Sequence, residues 1–292
     1  MNLIDILPEL INRIKSKKEL KTVDENWIRE ELLQLIEKRK EVHEKIEGTK
    51  SFSQFSRSNE YDFLLKIIRA DLHAVYGTFQ QELNHRKKYF EELKKIILGG
   101  NANETKINEL HQKILSTHTS TKERLKIYPV MYEKIFAVTG IPKKLLDLSC
   151  GLNPLSYPFM DIDYKDFEYS ATEITKEDCE LINEYFEMMK IKGKALQIDL
   201  VREYEKIKQF DVDVCFLFKL LDTLEYLERN ISKKILPLIN SKWLVVSFST
   251  KTLSGKKMKK IERWWFENIC TANKWTFEKI EFDNELFYVV KK

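Results

Sequence analysis

No stretch of this chain stays apolar over the ~20 residues that a membrane-spanning helix needs, so no such span is expected. The start, Met1 to Leu10, carries Asp5 and Glu9 and no basic stretch ahead of an apolar one, so a secretion signal is not expected either. Cysteine is scarce: Cys150, Cys179, Cys215 and Cys270 stand far apart, and no Cys-x-x-Cys occurs. His43, His73, His85, His111 and His118 show no ligand spacing with them. The expectation is four reduced, mostly buried thiols in a cytoplasmic protein, with no metal site. A strong charge of one sign is lacking too. The 50 Lys and Arg against 46 Asp and Glu leave +4, which alone is poor support for a nucleic-acid partner. No internal repeat is visible.

What is present points to two regions. The 292 residues are 43% hydrophobic and 33% charged, enough to bury a core and remain soluble as one large or two modest domains. Residues 1–126 hold 24 Lys/Arg and 20 Asp/Glu, whereas residues 127–292 hold 26 of each, so the first part carries the whole excess. That first part reads as helices. Ile28, Leu32, Leu35 and Ile36 recur at helical spacing after Asp24, a capping residue. Tyr61, Leu64, Leu65, Ile68, Leu72 and Val75 repeat the pattern, with Gly77 near its end. Tyr89, Phe90, Leu93, Ile96 and Ile97 form a further stripe, stopped by Gly99-Gly100-Asn101, and a shorter helix is expected over Glu104 to Leu115. The plain expectation is a small helical bundle over 1–126.

After Pro142 short β-rich runs alternate with helical patterns. Strands are expected at Lys144–Ser149, Glu168–Ile174, Ala195–Ile198, Val212–Phe218, Leu244–Ser249, Phe277–Phe282 and Leu286–Val290, the last two joined by a hairpin at Asp283-Asn284. Strands alternating with helices imply a parallel sheet, and the final hairpin implies a last strand running antiparallel. The first strand runs into Asp147-Leu148-Ser149-Cys150-Gly151-Leu152-Asn153-Pro154, and Glu173 closes the next apolar segment 22 residues after Gly151. A glycine turn after the first strand and an acid after the second is the layout of a nucleotide-type site: the glycine admits a close backbone approach, and the acid accepts from ribose hydroxyls. An ordinary dinucleotide dehydrogenase would more often show further glycines where Asn153 stands. The expected fold is α/β, a Rossmann-like seven-stranded sheet of the class I S-adenosylmethionine (SAM) methyltransferase type, residues 127–292, behind a helical domain, residues 1–126.

Four ordered segments resemble one family, the aminoglycoside-resistance type 16S ribosomal RNA (guanine-N7) methyltransferases of the Arm/Rmt group. They are His118-Thr119-Ser120-Thr121-Lys122-Glu123-Arg124-Leu125, the Asp147–Pro154 turn, Phe216-Leu217-Phe218-Lys219-Leu220-Leu221, and Val246 to Lys256 with its Ser247-Phe248-Ser249-Thr250-Lys251 start. Trp265-Phe266-Glu267 and Asn284-Glu285-Leu286-Phe287-Tyr288 extend the match over essentially the whole chain. The resemblance implies SAM as cofactor, S-adenosylhomocysteine as product, and a helical RNA-binding domain over residues 1–126. It implies that Arg124 pairs with the methionine carboxylate, Gly151 lets the loop pack on the cofactor, Glu173 binds the ribose and Asp199 meets the adenine amino group. Cys150, Asn153, Ile174, Leu200 and Lys219 complete the expected cofactor shell. No catalytic acid or base is expected; Phe218, Lys219 and Leu220 would floor the transfer pocket. Two positions depart from the family: Glu173 stands where Asp is typical, and Asp222 where Pro follows Leu220-Leu221.

The chemistry itself asks little of the protein. Many amino and hydroxyl methyltransferases carry a dedicated motif, such as Asn-Pro-Pro-Tyr for exocyclic amines, and this chain has only Lys219-Leu220-Leu221-Asp222 after its fourth strand. Guanine N7 has a free in-plane lone pair and no proton to lose, so alignment suffices. Lys251, Lys256, Lys257, Lys259 and Lys260 put five positive charges into ten residues without an acid, and this run is expected to meet RNA. Of Trp264 and Trp265, at least one should lie in the core and the other could stack on a base. Lys15, Lys17, Lys18, Arg86, Lys87 and Lys88 could track phosphates or simply solvate helix faces. The expected substrate is small-subunit ribosomal RNA acted on by a monomer, with transfer RNA as the alternative and a non-catalytic, SAM-holding RNA-binding protein as a second one.

Overall fold

From Lys144 onward the apolar residues alternate strand by strand between two faces, which is what a sheet covered on both sides requires. A computed structural model describes residues 2–21, 23–73, 83–100, 103–162, 166–252 and 255–292. Seven strands pair: β1 (Lys144–Asp147), β2 (Glu168–Glu173), β3 (Lys192–Gln197), β4 (Asp211–Phe218), β5 (Asn240–Ser249), β6 (Thr276–Glu281) and β7 (Glu285–Lys291). Their order in the sheet is β3-β2-β1-β4-β5-β7-β6. The first five run parallel, and β7 runs antiparallel to both β5 and β6. The expected seven-stranded sheet with a reversed last strand is the observed one.

β3 and β5 start three and four residues earlier than hydrophobicity suggests, because their exposed first residues pair through backbone rather than apolar side chains. Lys192 sits beside Glu168 in register and its ammonium reaches that carboxylate at 2.9 Å. β1 ends sooner than expected, since Ser149 already turns out of the sheet at φ +48°.

Leu145, Tyr169, Val214, Phe216, Val245, Phe287 and Val289 point to one face of the sheet. They are covered there by α6 (Leu83–Leu98), α7 (Glu104–Leu115), α9 (Tyr128–Thr139) and α10 (Lys176–Met188). Leu146, Cys215, Leu217, Leu244, Val246, Phe248, Tyr288 and Val290 point to the other, covered by α11 (Leu221–Leu227), α12 (Ile231–Leu238) and α13 (Trp264–Ala272). The short α8 (Thr119–Arg124) lies between α7 and α9 in the chain. The four cysteines are all buried and free.

The chain divides into two compact units, Met1–Gln80 and Gln81–Lys292. The first is helical: α1 (Leu3–Lys15), α2 (Glu25–Lys38), α3 (Lys40–Gly48), α4 (Phe52–Phe55) and α5 (Asn59–Leu72). Its core joins Leu10 and Ile14 of α1, Ile28, Leu32 and Ile36 of α2, and Leu64 and Ile68 of α5. Asp24 caps α2 by accepting from the Trp27 N–H at 3.0 Å, as its position suggests. Val75 and Gly77 lie outside the described residues. The helical region read over 1–126 is thus shared between two units. The apolar stripes of α6 and α7, Phe90, Leu93, Leu110, Ile114 and Leu115, join the core that covers the sheet rather than that of α1–α5. Periodicity shows that a helix has an apolar face but not what that face meets. Among the described residues no helix is long and apolar enough to cross a membrane.

Candidate active site

The site grows from the carboxyl ends of β1 to β4, the edge where parallel α/β sheets take ligands. After Asp147 the chain leaves β1 and leans on the end of β2. The Ser149 N–H donates to the Thr172 hydroxyl at 3.2 Å, and the Cys150 N–H to the Thr172 carbonyl at 2.9 Å. The Gly151 N–H donates to Glu173 Oε2 at 2.8 Å. Gly151 has φ +52°, and a Cβ there would come within 2.8 Å of Cε1 and 2.9 Å of Nε2 of His118. The absence of a side chain therefore lets the loop lie on the His118 ring, a neighbour the sequence did not suggest. Burial, reinforced by the charges of Arg86, Arg124 and Lys219, holds the His118 imidazole well below its usual range, so it sits there neutral.

Beneath the loop lies a buried polar network. Asn153 Nδ2 donates to Asp147 Oδ2 at 2.8 Å, Tyr169 donates to the same oxygen at 2.8 Å, and Tyr128 donates to Asn153 Oδ1 at 3.0 Å. Burial raises the Asp147 carboxyl to about 6 against those hydrogen bonds. The Asn153 amide is engaged inside the protein, and the Cys150 and Leu200 side chains are buried as well. These three expected cofactor residues shape the wall from within rather than offering polar side chains to a ligand.

Glu173 is buried, and each of its oxygens accepts one backbone N–H, Gly151 on Oε2 and Ile174 on Oε1, both at 2.8 Å. Burial, and then the charge of Asp178, raise its carboxyl to about 7. Each carboxylate oxygen can accept more than one hydrogen bond, so capacity for hydroxyl donors remains. Asp199 follows β3. Its Oδ1 accepts from the Val201 N–H at 2.8 Å and the Arg202 N–H at 3.3 Å, while Oδ2 lies 3.7 Å from Arg202 Nε.

Arg124 ends α8 and is buried among aromatic rings, its guanidinium carbon 4.8 Å from the centroid of Phe218. Nε contacts Glu285 Oε1 at 3.0 Å and Oε2 at 2.9 Å, and Nη2 contacts Oε1 at 2.9 Å. Glu285 opens β7 fully buried and also accepts from the Ser247 hydroxyl. Burial works against its ionisation, but the charges of Arg124 and Lys219 and the hydrogen bonds from Arg124 and Ser247 hold its carboxyl below the ordinary range. Lys219, at φ +53° just past β4, points its ammonium at Glu123 and lies 3.6 Å from Glu285 Oε2. Phe218 stacks on Phe216 at 4.5 Å and meets Phe287 edge-on at 5.5 Å. Leu220 leads into α11.

Asp222, the charge that breaks the family pattern, is paired. Arg263 Nη2 meets its Oδ2 at 2.9 Å, and the same guanidinium donates to the carbonyls of Ile261 at 2.9 Å and Ser249 at 3.3 Å. Beyond β5, Lys256, Lys257, Lys259 and Lys260 are exposed, while Lys251 is ion-paired with Asp283. Leu253 and Ser254 of this segment lie outside the described residues. Trp265 packs edge-on against Phe248 at 5.8 Å, whereas Trp264 is exposed. Arg86 does not reach for phosphates. It is buried, 2.9 Å from Asp178 and bonded to Thr117, because α6 turns it toward α10. Lys87 and Lys88 are exposed, as are Lys17 and Lys18 in the helical unit, where Lys15 pairs with Glu25 at 2.9 Å.

The family model described as ribosomal RNA methyltransferase (FmrO) matches residues 54–289. The chain belongs to that family. A 16S rRNA (guanine(1405)-N(7))-methyltransferase of Proteus mirabilis is 29% identical over 246 residues, covering 78% of this chain and 84% of the relative. One of the same name from Micromonospora echinospora is 29% identical over 231 residues, covering 78% and 82%. Among solved structures, the 16S rRNA methyltransferase RmtF in complex with S-adenosyl-L-homocysteine shares the fold at TM-score 0.76, with 23% identity over 100% of this chain and 99% of that one. The 16S rRNA methylase RmtB does so at TM-score 0.64, with 21% identity and 98% of each chain covered.

Within this family member, sequence reasoning gave no role to Glu285, Ser247, His118 or Arg263, although all but Arg263 stand in segments that carry the resemblance. One signal was available for Glu285. An acid directly before Leu286-Phe287-Tyr288-Val289-Val290, in a strand buried on both faces, needs a buried cation as partner.

Proposed function

We propose that this chain transfers the methyl group of SAM to N7 of a guanine in 16S ribosomal RNA, leaving S-adenosylhomocysteine. The observation that carries the reading is the charge balance at the carboxyl edge of the sheet. Arg124 and Lys219 are cations with small side-chain exposure, 2% and 9%, and among the described residues the fully buried carboxylate that both meet is Glu285. The other acid on Lys219, Glu123, is 45% exposed. A ligand carboxylate, such as that of the methionine moiety of SAM, would take the place of the exposed Glu123 beside these two cations. The remaining groups fit the rest of such a ligand. Glu173 would accept from the ribose hydroxyls and Asp199 from the adenine amino group. Gly151 would admit the loop close to both, and Cys150, Asn153, Ile174 and Leu200 would hold the wall.

When bound, SAM supplies a methyl carbon made electrophilic by its positively charged sulfur. Guanine N7 attacks with a lone pair already in the ring plane, so no residue has to take a proton. What the chain contributes is position, an effect that can lower a barrier by roughly 7–11 kcal/mol in favourable cases. Phe218, locked between Phe216 and Phe287, with Lys219 and Leu220 beside it, would form a rigid floor for the target base. Drawing that base out of its stack costs a few kcal/mol. Lys251, Lys256, Lys257, Lys259 and Lys260 would offset this by meeting phosphates. The names of the curated relatives support the choice of small-subunit RNA and of N7. We place the enzyme in the cytoplasm as a monomer.

The test is transfer of labelled methyl from SAM to intact small subunits, naked ribosomal RNA and transfer RNA, followed by nucleoside analysis. N7-methylguanosine in 16S RNA from small subunits is expected. Product in transfer RNA alone would move the activity to another RNA, and SAM binding without transfer to any of them would leave an RNA-binding protein that only holds SAM.

A further inference from the structure

Trp264 is the most exposed large apolar side chain among the described residues, with 68% of its surface open. It opens α13, yet the packing of that helix does not use it. Phe266, Ile269 and Cys270 supply the buried face, and Trp265 takes the place against Phe248. The Lys260 ammonium stands over the Trp264 ring, 5.3 Å from its centroid. Lys256, Lys257 and Lys259 are exposed in the same segment.

The position of Trp264 is fixed by its neighbour. The Arg263 N–H donates to the Tyr288 hydroxyl at 3.1 Å, and the Arg263 guanidinium joins Asp222 on α11 to the Ser249 carbonyl at the end of β5. The start of α13 is thereby tied to the carboxyl end of β5, on the sheet edge that carries the candidate active site. One helical turn beyond Asp222, Tyr226 is the other exposed large aromatic of this unit among the described residues.

A lone exposed aromatic needs no explanation. An indole with a cation over its ring, beside a run of exposed positive charge and anchored through its backbone, has the parts that hold unpaired nucleotides: a π face for the base and ammonium groups for the phosphates. We propose that Trp264, together with Lys260, is a stacking platform for an unpaired base of the RNA substrate. This rests on the RNA methyltransferase reading above and adds a recognition element to it.

The experiment compares full-length wild type with Trp264→Ala, Trp264→Phe and Lys256→Ala. Affinities for purified small subunits and for SAM are measured separately, and tryptophan emission is followed while a short single-stranded RNA is added. Trp264→Ala should weaken small-subunit binding about tenfold, the size expected for the removal of one base stack, with SAM affinity unchanged. Trp264→Phe should keep most of the affinity while losing the emission quenching seen in wild type. If Trp264→Ala binds subunits as wild type does while Lys256→Ala binds them less well, the platform is overturned and the RNA reading stands. If wild type itself does not bind small subunits, both fall.

Discussion

Arg124 and Glu285, 161 residues apart in the chain, lie side by side in the core with three nitrogen–oxygen distances between 2.9 and 3.0 Å. The pair ties α8 to the first residue of β7, and the hairpin turn adds a second tie where Asn284 Nδ2 donates to the Glu123 carbonyl at 2.9 Å. Removing one partner leaves the other charge buried alone. Glu285→Gln is expected to lower stability at neutral pH by about 3–5 kcal/mol, measured by urea unfolding. Because the Glu285 carboxyl is held below its ordinary range, its contribution is present above the unfolded carboxyl range and lost as pH falls through the lower folded value. Wild type should therefore lose stability more steeply on acidification than Glu285→Gln.

Gly151→Ala should be costly for two separable reasons. Its φ of +52° strains any side chain, by about 1–2 kcal/mol, and the new methyl meets His118. Adding His118→Ala should relieve the clash but not the backbone strain. Thermal unfolding of the single and double variants checks this: the double variant should recover only part of the loss relative to His118→Ala alone.

SAM affinity is expected to depend on pH through Glu173. Its carboxyl is raised to about 7, chiefly by burial, so it takes up a proton on acidification before an ordinary carboxylate does. Accepting from ribose hydroxyls favours the ionised form. Affinity should thus rise with pH up to about 7 and then level off, and Glu173→Gln should bind more weakly with a flatter profile. Calorimetric titration between pH 5.5 and pH 8.5, on the order of one tenfold step per unit at the acid end, decides it.

The Asp222–Arg263 pair offers a milder test. Asp222 is 47% exposed, so a double-mutant cycle with Asp222→Ala and Arg263→Ala should give a coupling of about 0.2–1 kcal/mol in stability. The larger effect of Asp222→Ala should fall on turnover with RNA, since Arg263 then loses its carboxylate partner at the base of the lysine-rich segment, while SAM affinity stays as in wild type.

Replacing Lys256, Lys257, Lys259 and Lys260 by alanine should flatten the salt dependence of RNA binding. The slope of log affinity against log salt should fall by about 0.7–0.9 for each phosphate that is no longer neutralised. An unchanged slope would remove this segment from the RNA interface.

The sequence by itself determined the sheet. Apolar alternation, the glycine turn after Asp147 and the Asp283-Asn284 hairpin are local signals, and they were enough to place seven strands and the reversed last one. They also located Gly151 and Glu173 at strand ends, while Arg124 and Asp199 came from the family resemblance. Only the tertiary structure decided what these residues touch. Periodicity shows that α6 and α7 have an apolar face but not that the face covers a sheet, so the first 126 residues read as one helical body. Residue type shows that Arg86 and Asp222 are charged side chains but not that Asp178 and Arg263 pair with them. Glycine at 151 reads as room for a ligand, whereas the His118 ring, 33 residues upstream, fills the space where its Cβ would be. The physical reason is common to all three: a local pattern fixes which way a side chain faces, and only the closed chain fixes what stands opposite it.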